Sequence, residues 1–210
     1  MNSIETECAL IDLEIKKLQL KKDILLKEAD EHTRCKLSHD EFATMTERLC
    51  DLSKMNEWGD PFNYNRAREI HIANALGHTV ASTYAGADAF DGQGMPLEYK
   101  STIVTKNQKN VKGTYNGISV KESWEDQVLY LENEKIGKYT HFIALYDSMK
   151  IVKCYKLKGS DVLSILLPKL KKQWIRLKLN TKVNSDPRLG ATLTKKEIEK
   201  CGELIIMNQA

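Results

Sequence analysis

The segment 86–101 contains the carboxylates of Asp88, Asp91 and Glu98 and one lysine, Lys100, and it constrains the fold of this chain more than any other segment. Residues 91–95 are typical of a turn, because two of them are glycines, which adopt positive φ easily. The residues on either side of this turn predict the two strands of a β-hairpin. Side chains alternate between the faces of a strand, so Glu98 and Lys100 point the same way. If the loop spans 91–95, Asp88 lies opposite Glu98 and shares that face.

This grouping of charges suits a hard divalent cation next to a phosphate, because such cations prefer carboxylate oxygens as ligands. Asp88, nine further residues and then Glu98-Tyr-Lys100 also resemble the PD-(D/E)xK signature of nucleases, most of all that of type II restriction endonucleases. Ala87 stands at the position of the proline, which varies in that family. The resemblance covers roughly residues 63–147. It implies an α/β fold with a mixed central sheet flanked by helices, the restriction-endonuclease-like core.

The resemblance also implies an activity, the Mg²⁺-dependent, sequence-specific hydrolysis of phosphodiesters in double-stranded DNA. Asp88 and Glu98 would be the metal ligands, together with the backbone carbonyl of Tyr99, and Mn²⁺ would substitute for Mg²⁺. Lys100 would orient the attacking water and offset the developing negative charge. In several branches of the family a glutamate on the preceding helix joins the site. Glu69 is the candidate by position, although it also fits an ordinary surface glutamate.

A long polar and basic segment, residues 105–119, follows the strand that carries the lysine. A segment of this kind in a compact domain is usually functional or disordered, so it is either a DNA-contacting loop or a mobile surface hairpin. Lysines suit phosphates, whereas Asn and Gln suit the edges of adenine. Residues 186–194 are a candidate for a second DNA-facing loop. The residues expected to contact DNA in the first segment are Lys106, Asn107, Gln108, Lys109, Asn110, Lys112, Tyr115 and Asn116.

The net charge of +3 conceals an uneven distribution along the chain. Residues 150–200 contain fourteen Lys and Arg against four Asp and Glu. Such segregation is typical of a surface that faces a polyanion, although a lysine-rich helix face in solvent would look the same. On the first interpretation Lys171, Lys172 and Arg188 contact DNA phosphates.

The first 57 residues predict a separate helical subdomain, with a core domain over residues 58–210. Residues 3–29 form a long helix whose apolar residues follow a heptad pattern, and Ser38 with Glu41 forms a capping box that opens a second helix. The two helices are expected to fold back as a helical hairpin. Their apolar belt would pack against the chain's own domain or against a second subunit. A homodimer matches the two-fold symmetry of a palindromic DNA site, and two dimers could form a tetramer.

Several classes of protein are disfavoured by what the sequence lacks. It contains no apolar run of membrane-spanning length and no signal-peptide core, and its five cysteines are scattered, so a cytoplasmic protein is expected. Neither GxxxxGK[ST] nor GxGxxG is present, which disfavours a nucleotide-binding enzyme. Three interpretations remain: a type II restriction endonuclease, a repair, recombination or phage-type nuclease of the same fold, and a non-catalytic DNA-binding protein.

Overall fold

The computed structural model describes residues 3–104, 111–179 and 188–207, and within the first helix it leaves the side chains of 3–13 and 29–38 undescribed. The chain divides into two compact units, residues 1–52 and 53–210. The predicted boundary between residues 57 and 58 lies a few residues after this division.

The described residues form five α-helices, a π-helical turn and eight strands, which confirms the predicted α/β class. Gly77 ends the second helix in the left-handed conformation at φ 69°. In chain order the elements are α1 (Ser3–Met55), α2 (Arg66–Leu76), β1 (Thr79–Val80), β2 (Ala89–Phe90), β3 (Pro96–Ile103), β4 (Lys112–Ile118), α3 (Trp124–Tyr130), the π-turn (Leu131–Lys135), β5 (Thr140–Asp147), β6 (Lys150–Lys158), α4 (Gly159–Leu179), β7 (Leu189–Thr194), α5 (Lys195–Cys201) and β8 (Glu203–Met207).

Helix α1 runs without a break through the position of the predicted turn, so the prediction of a helical hairpin is wrong. The segment 3–55 contains neither Gly nor Pro, and nothing in its sequence therefore interrupts the helical hydrogen bonds. Ser38 and Glu41 lie inside the helix, where no unpaired N–H group needs a cap. Among its described side chains α1 exposes Ile15, Leu18, Leu20, Ile24, Leu25, Leu26, Phe42, Met45, Leu49, Leu52 and Met55.

The central sheet has six strands in the order β1-β2-β3-β5-β6-β8. Strands β3 and β5 pair in parallel, whereas every other neighbouring pair in this sheet is antiparallel. This is the mixed sheet expected from the sequence. A parallel pair needs a long connection, and here that connection contains β4, α3 and the π-turn.

Strand β5 is buried on both faces, and its side chains supply two separate cores. Phe142 and Tyr146 pack with Ile72 of α2 on one face. Ile143 and Leu145 belong to a larger core on the other face, which includes apolar residues of α4, β4 and β7. Strand β3, which carries the candidate site, pairs with β5 and adds Leu97 and Tyr99 to the first of these cores.

A second, two-stranded sheet pairs β4 with β7, so residues 112–118 and 189–194 are strands and not the predicted loops. Alternate residues of both strands are buried, as in any strand with one face on a core. Glycine and threonine interrupt the apolar pattern in both segments, and asparagine also does so in the first, which makes them resemble loops in sequence. No helix in the described part of the chain has the length and apolar character needed to cross a membrane.

Candidate active site at the β2–β3 hairpin

The hairpin has the register expected from its sequence. Strands β2 and β3 pair around a loop of residues 91–95, and the register places Asp88 opposite Glu98. The backbone N–H of Asp88 donates to the Leu97 carbonyl at 2.9 Å. In return, the Tyr99 N–H donates to Oδ2 of Asp88 at 2.6 Å, which fixes this carboxylate against the end of the sheet.

The nearby carboxylate of Asp91 has a different role. Its Oδ1 accepts hydrogen bonds from the backbone N–H groups of Gln93 and Met95, both at 2.9 Å. These bonds close the hairpin loop and lower the pKa of Asp91. Asp91 therefore stabilises the turn, and Asp88 is the carboxylate that faces Glu98.

The Lys100 ammonium donates hydrogen bonds to two acceptors of its own strand. These acceptors are the carboxylate of Glu98 and, at 3.1 Å, the carbonyl of Tyr99. Burial lowers the pKa of Lys100, but the carboxylates of Glu98 and Asp88 outweigh this effect and leave the pKa raised. The lysine is therefore protonated and holds a positive charge next to both carboxylates.

The surroundings of Asp88 disfavour the ionised form of its carboxyl group. Burial, followed by repulsion from Glu98, raises the pKa of Asp88 to about 7, although Lys100 and the Tyr99 N–H act in the opposite direction. A carboxyl group with such a pKa is readily ionised by a cation that approaches it. The site therefore accommodates one more positive charge close to Asp88.

Glu69, the additional candidate ligand, is paired with a buried arginine. Arg66 is only 1% exposed, and its guanidinium contacts Oε2 of Glu69 at 3.1 Å. The same guanidinium donates to the Trp58 carbonyl at 2.5 Å and to the Ala81 carbonyl. Arg66 thus ties together three chain segments, and it offsets the charge that Glu69 would bring to a metal.

A buried tyrosine–histidine pair lies behind Lys100. The Lys100 ammonium is 5.4 Å from the ring centroid of Tyr115. His141 Nε2 lies 2.9 Å from the Ile136 carbonyl, so Nε2 carries a hydrogen and donates it there. Nδ1 accepts a hydrogen bond from the Tyr115 hydroxyl at 3.1 Å. Burial lowers the pKa of His141 to about 4, so this imidazole is neutral at pH 7. Tyr115 is 5% exposed and supports the lysine instead of contacting DNA as predicted.

The candidate residues line a cleft of about 300 Å³. Asp88, Glu98 and Lys100 lie along it, and Asn116 of β4 forms part of its wall. Lys135, at the end of the π-turn, adds a second lysine to the lining. Sequence analysis does not single out Lys135, because only the fold of the connection between β3 and β5 brings it to the cleft.

The other residues predicted to contact DNA lie on α4, near the starts of β4 and β7, or outside the described residues. Lys171 and Lys172 are exposed on α4, and the Lys171 ammonium lies 5.5 Å from the ring centroid of Trp124. Lys112 is the first residue of β4, and Arg188 directly precedes β7. Both side chains are exposed. Lys106, Asn107, Gln108, Lys109 and Asn110 lie outside the described residues.

The donor set fits a hard cation, although it is small. No group of three or more His, Cys, Asp and Glu side chains within the described ranges could hold a metal ion. Two carboxylates and the Tyr99 carbonyl nevertheless supply oxygen ligands, and Mg²⁺ commonly uses one or two carboxylates and keeps several waters. The raised pKa of Asp88 also indicates a place where a cation would relieve charge repulsion.

Paired carboxylates beside a protonated lysine in an open cleft can bind a divalent cation and a phosphate together. Neutral His141 and Tyr115 hold the lysine in place without adding charge. Such a site is suited to hydrolysis of a phosphate ester. No protein-family model matches the chain, and no curated protein matches it.

Proposed function

We propose that this protein is a Mg²⁺-dependent endonuclease of the PD-(D/E)xK type that cleaves double-stranded DNA at specific sequences. The observation that carries the proposal is the meeting of Asp88, Glu98 and Lys100 in one cleft. The resemblance to type II restriction endonucleases rests on the same three residues.

Each of these residues has a distinct role. Asp88 and Glu98 hold the cation, Mg²⁺ or Mn²⁺, together with the Tyr99 carbonyl. When bound, the metal polarises the scissile phosphate and lowers the pKa of a coordinated water. The Lys100 ammonium would orient the attacking water by a hydrogen bond and would offset the negative charge that develops on the phosphate. The Arg66 contact keeps Glu69 at the edge of this arrangement.

The surroundings of the cleft support DNA as the substrate. Lys135 lines the cleft, and Lys171 and Lys172 add positive charge on the exposed side of α4. Positive side chains bind the phosphate backbone without regard to sequence and account for much of the affinity of such proteins. Helix α1, with its exposed apolar side chains, would join two copies as a homodimer, and two dimers would form a tetramer. A restriction endonuclease would act in the cytoplasm.

The test is incubation of the protein with long duplex DNA and Mg²⁺, followed by sequencing of the fragment ends. Defined ends that require the metal are the expected result. Glu98→Gln keeps the shape of the side chain but removes a metal-binding charge, and should reduce single-turnover cleavage by about 100-fold or more. Glu125→Gln, on the exposed face of α3, is the matched control and should retain full activity. Cleavage by Glu98→Gln at the wild-type rate would contradict the proposal.

A further inference from the structure

A second cleft lies next to the candidate active site and shares Asn116 and Gly117 with it. We call it the β7 cleft, because the residues around the start of β7 form one of its sides. Its other polar side chains are those of Tyr64, Gln173 and Arg188, with Asn65 beside Tyr64. Among the described residues that line it are three carboxamides, a guanidinium and a phenol, and no carboxylate.

A β-bulge directs Asn116 into this position. The register of β4 and β7 shifts after Tyr115, so that Asn116 and Gly117 together lie opposite Gly190. Gly117 adopts φ 72°, a conformation that favours glycine. A Cβ atom at Gly190 would lie 2.5 Å from Oδ1 of Asn116, so the glycine provides the space that this carboxamide occupies.

Gln173 of α4 is held by the same strand. The backbone N–H of Gly190 donates to its Oε1 at 2.8 Å. Because this bond fixes the carbonyl end of the carboxamide, the Nε2 end presents its hydrogen-bond donors elsewhere. Two oriented carboxamides, from Asn116 and Gln173, therefore flank Gly190 in one cleft.

Tyr64 adds an aromatic ring with unusual backbone geometry. It is 84% exposed and has φ 52°, a left-handed conformation that is uncommon for a tyrosine and marks functional sites when the fold maintains it. Its ring lies 5.9 Å from that of Tyr84, which lines the candidate active site. The two rings thus connect the two clefts with aromatic surface.

We propose that the β7 cleft binds a purine base next to the scissile phosphate and so determines sequence preference at that position. Carboxamides form paired hydrogen bonds with adenine, and a guanidinium does so with guanine, while a tyrosine ring stacks on either. A phosphate subsite would instead be lined by several cations, whereas this cleft has Arg188 as its one charged described lining residue. The proposal rests on the proposed function and identifies residues that select its substrate.

The experiment measures sequence preference directly. Wild-type protein, Asn116→Ala and Gln173→Met are each equilibrated with duplex DNA containing randomised positions, in Ca²⁺, which supports binding better than it positions water for cleavage. Bound DNA is separated on gels and sequenced, and each protein is then assayed for cleavage of the same pool in Mg²⁺. Asn74→Ala, an exposed asparagine of α2, is the matched control.

The wild-type protein and Asn74→Ala should select a purine at one position beside the cut. Asn116→Ala and Gln173→Met should lose that preference by roughly 10- to 100-fold, as expected for a paired contact with a base edge, while affinity for random duplex stays within about twofold. If both variants keep the wild-type sequence preference, only the assignment of the β7 cleft is overturned, and the proposed function stands. A uniform loss of affinity without a change of preference would show contacts to phosphate and overturn it too. If the wild-type protein neither binds nor cuts any duplex, the proposed function fails and the cleft assignment fails with it.

Discussion

Two buried groups should change the free energy of unfolding with pH in opposite directions. Burial lowers the pKa of His141 to about 4, below its ordinary value of 6.5. Burial and the charge of Glu98 raise the pKa of Asp88 to about 7, from an ordinary value of 3.8. Between about pH 4.5 and 6.5 the two groups therefore bind different numbers of protons in the folded and the unfolded chain.

The signs follow from where the protons bind. Over this range His141 is protonated in the unfolded chain and neutral in the folded protein. Lowering the pH from 6.5 to 4.5 therefore reduces the free energy of unfolding by about 2 kcal/mol through this residue. Asp88 is protonated in the folded protein and ionised in the unfolded chain over this range. The same pH change therefore raises the free energy of unfolding by about the same amount through this residue. The contributions of His141 and Asp88 to the wild-type free energy of unfolding should thus nearly cancel between the two pH values.

Variants separate the two effects. His141→Gln retains a donor for the Ile136 carbonyl but does not titrate, so relative to the wild type this variant should gain about 2 kcal/mol of stability between pH 6.5 and pH 4.5. Asp88→Asn should show the opposite trend, with greater stability at pH 6.5. His78, whose pKa is also lowered by burial, contributes equally to all three proteins and cancels in the comparison.

The assay is urea unfolding in EDTA, followed by tryptophan fluorescence, because all three tryptophans lie within residues 53–210. Linear extrapolation at each pH gives the free energy of unfolding. Parallel pH profiles for the wild type and both variants would refute the reasoning, since they would mean that neither group is desolvated by the fold.

Three further experiments test separate parts of the proposal. Lys100→Ala should abolish turnover yet leave calorimetric metal affinity intact or slightly tighter, because it removes a positive charge that cannot bind the metal; weaker metal binding would contradict its role. Replacement of Lys171 and Lys172 by Ala should reduce the slope of log K against log salt by about 0.9 for each phosphate that the protein no longer neutralises, and an unchanged slope would place both lysines away from DNA. The double substitution Ile15→Asp and Leu18→Asp should convert a dimer into monomers, as measured by sedimentation. A wild-type protein that is monomeric at micromolar concentration would exclude self-association through α1.

The parts of the site that could be predicted from the sequence depend on short-range geometry. The glycines of the 91–95 loop set the hairpin register, and the alternation of strand side chains then places Glu98 and Lys100 on one face. Asp88 follows from the same register, which the structure confirms. Nothing distant in the chain is needed to bring these three side chains together.

The segments that sequence reasoning assigns wrongly are those in which the local pattern is ambiguous. A capping box is a helix start only if the preceding residues leave the helix, and α1 contains no Gly or Pro that would end it earlier. Strand β4 resembles a loop because its polar residues and two glycines hide the apolar alternation, and because a bulge shifts that alternation between Tyr115 and Ile118. Its strand conformation depends on pairing with β7, which is distant in sequence.

The supporting roles of His141 and Tyr115 could not be predicted, because these residues reach the site only through the pairing of strands that are distant in sequence. His141 begins an apolar strand and resembles an ordinary core residue in sequence, yet parallel pairing of β5 with β3 sets it beside Glu98. There its neutral ring accepts a hydrogen bond from the hydroxyl of Tyr115, whose ring lies against Lys100. A charged partner at position 141 would repel the lysine or pair with it and weaken its contact with Glu98. The burial that keeps this histidine neutral therefore also preserves the charge balance of the three residues that the hairpin brings together.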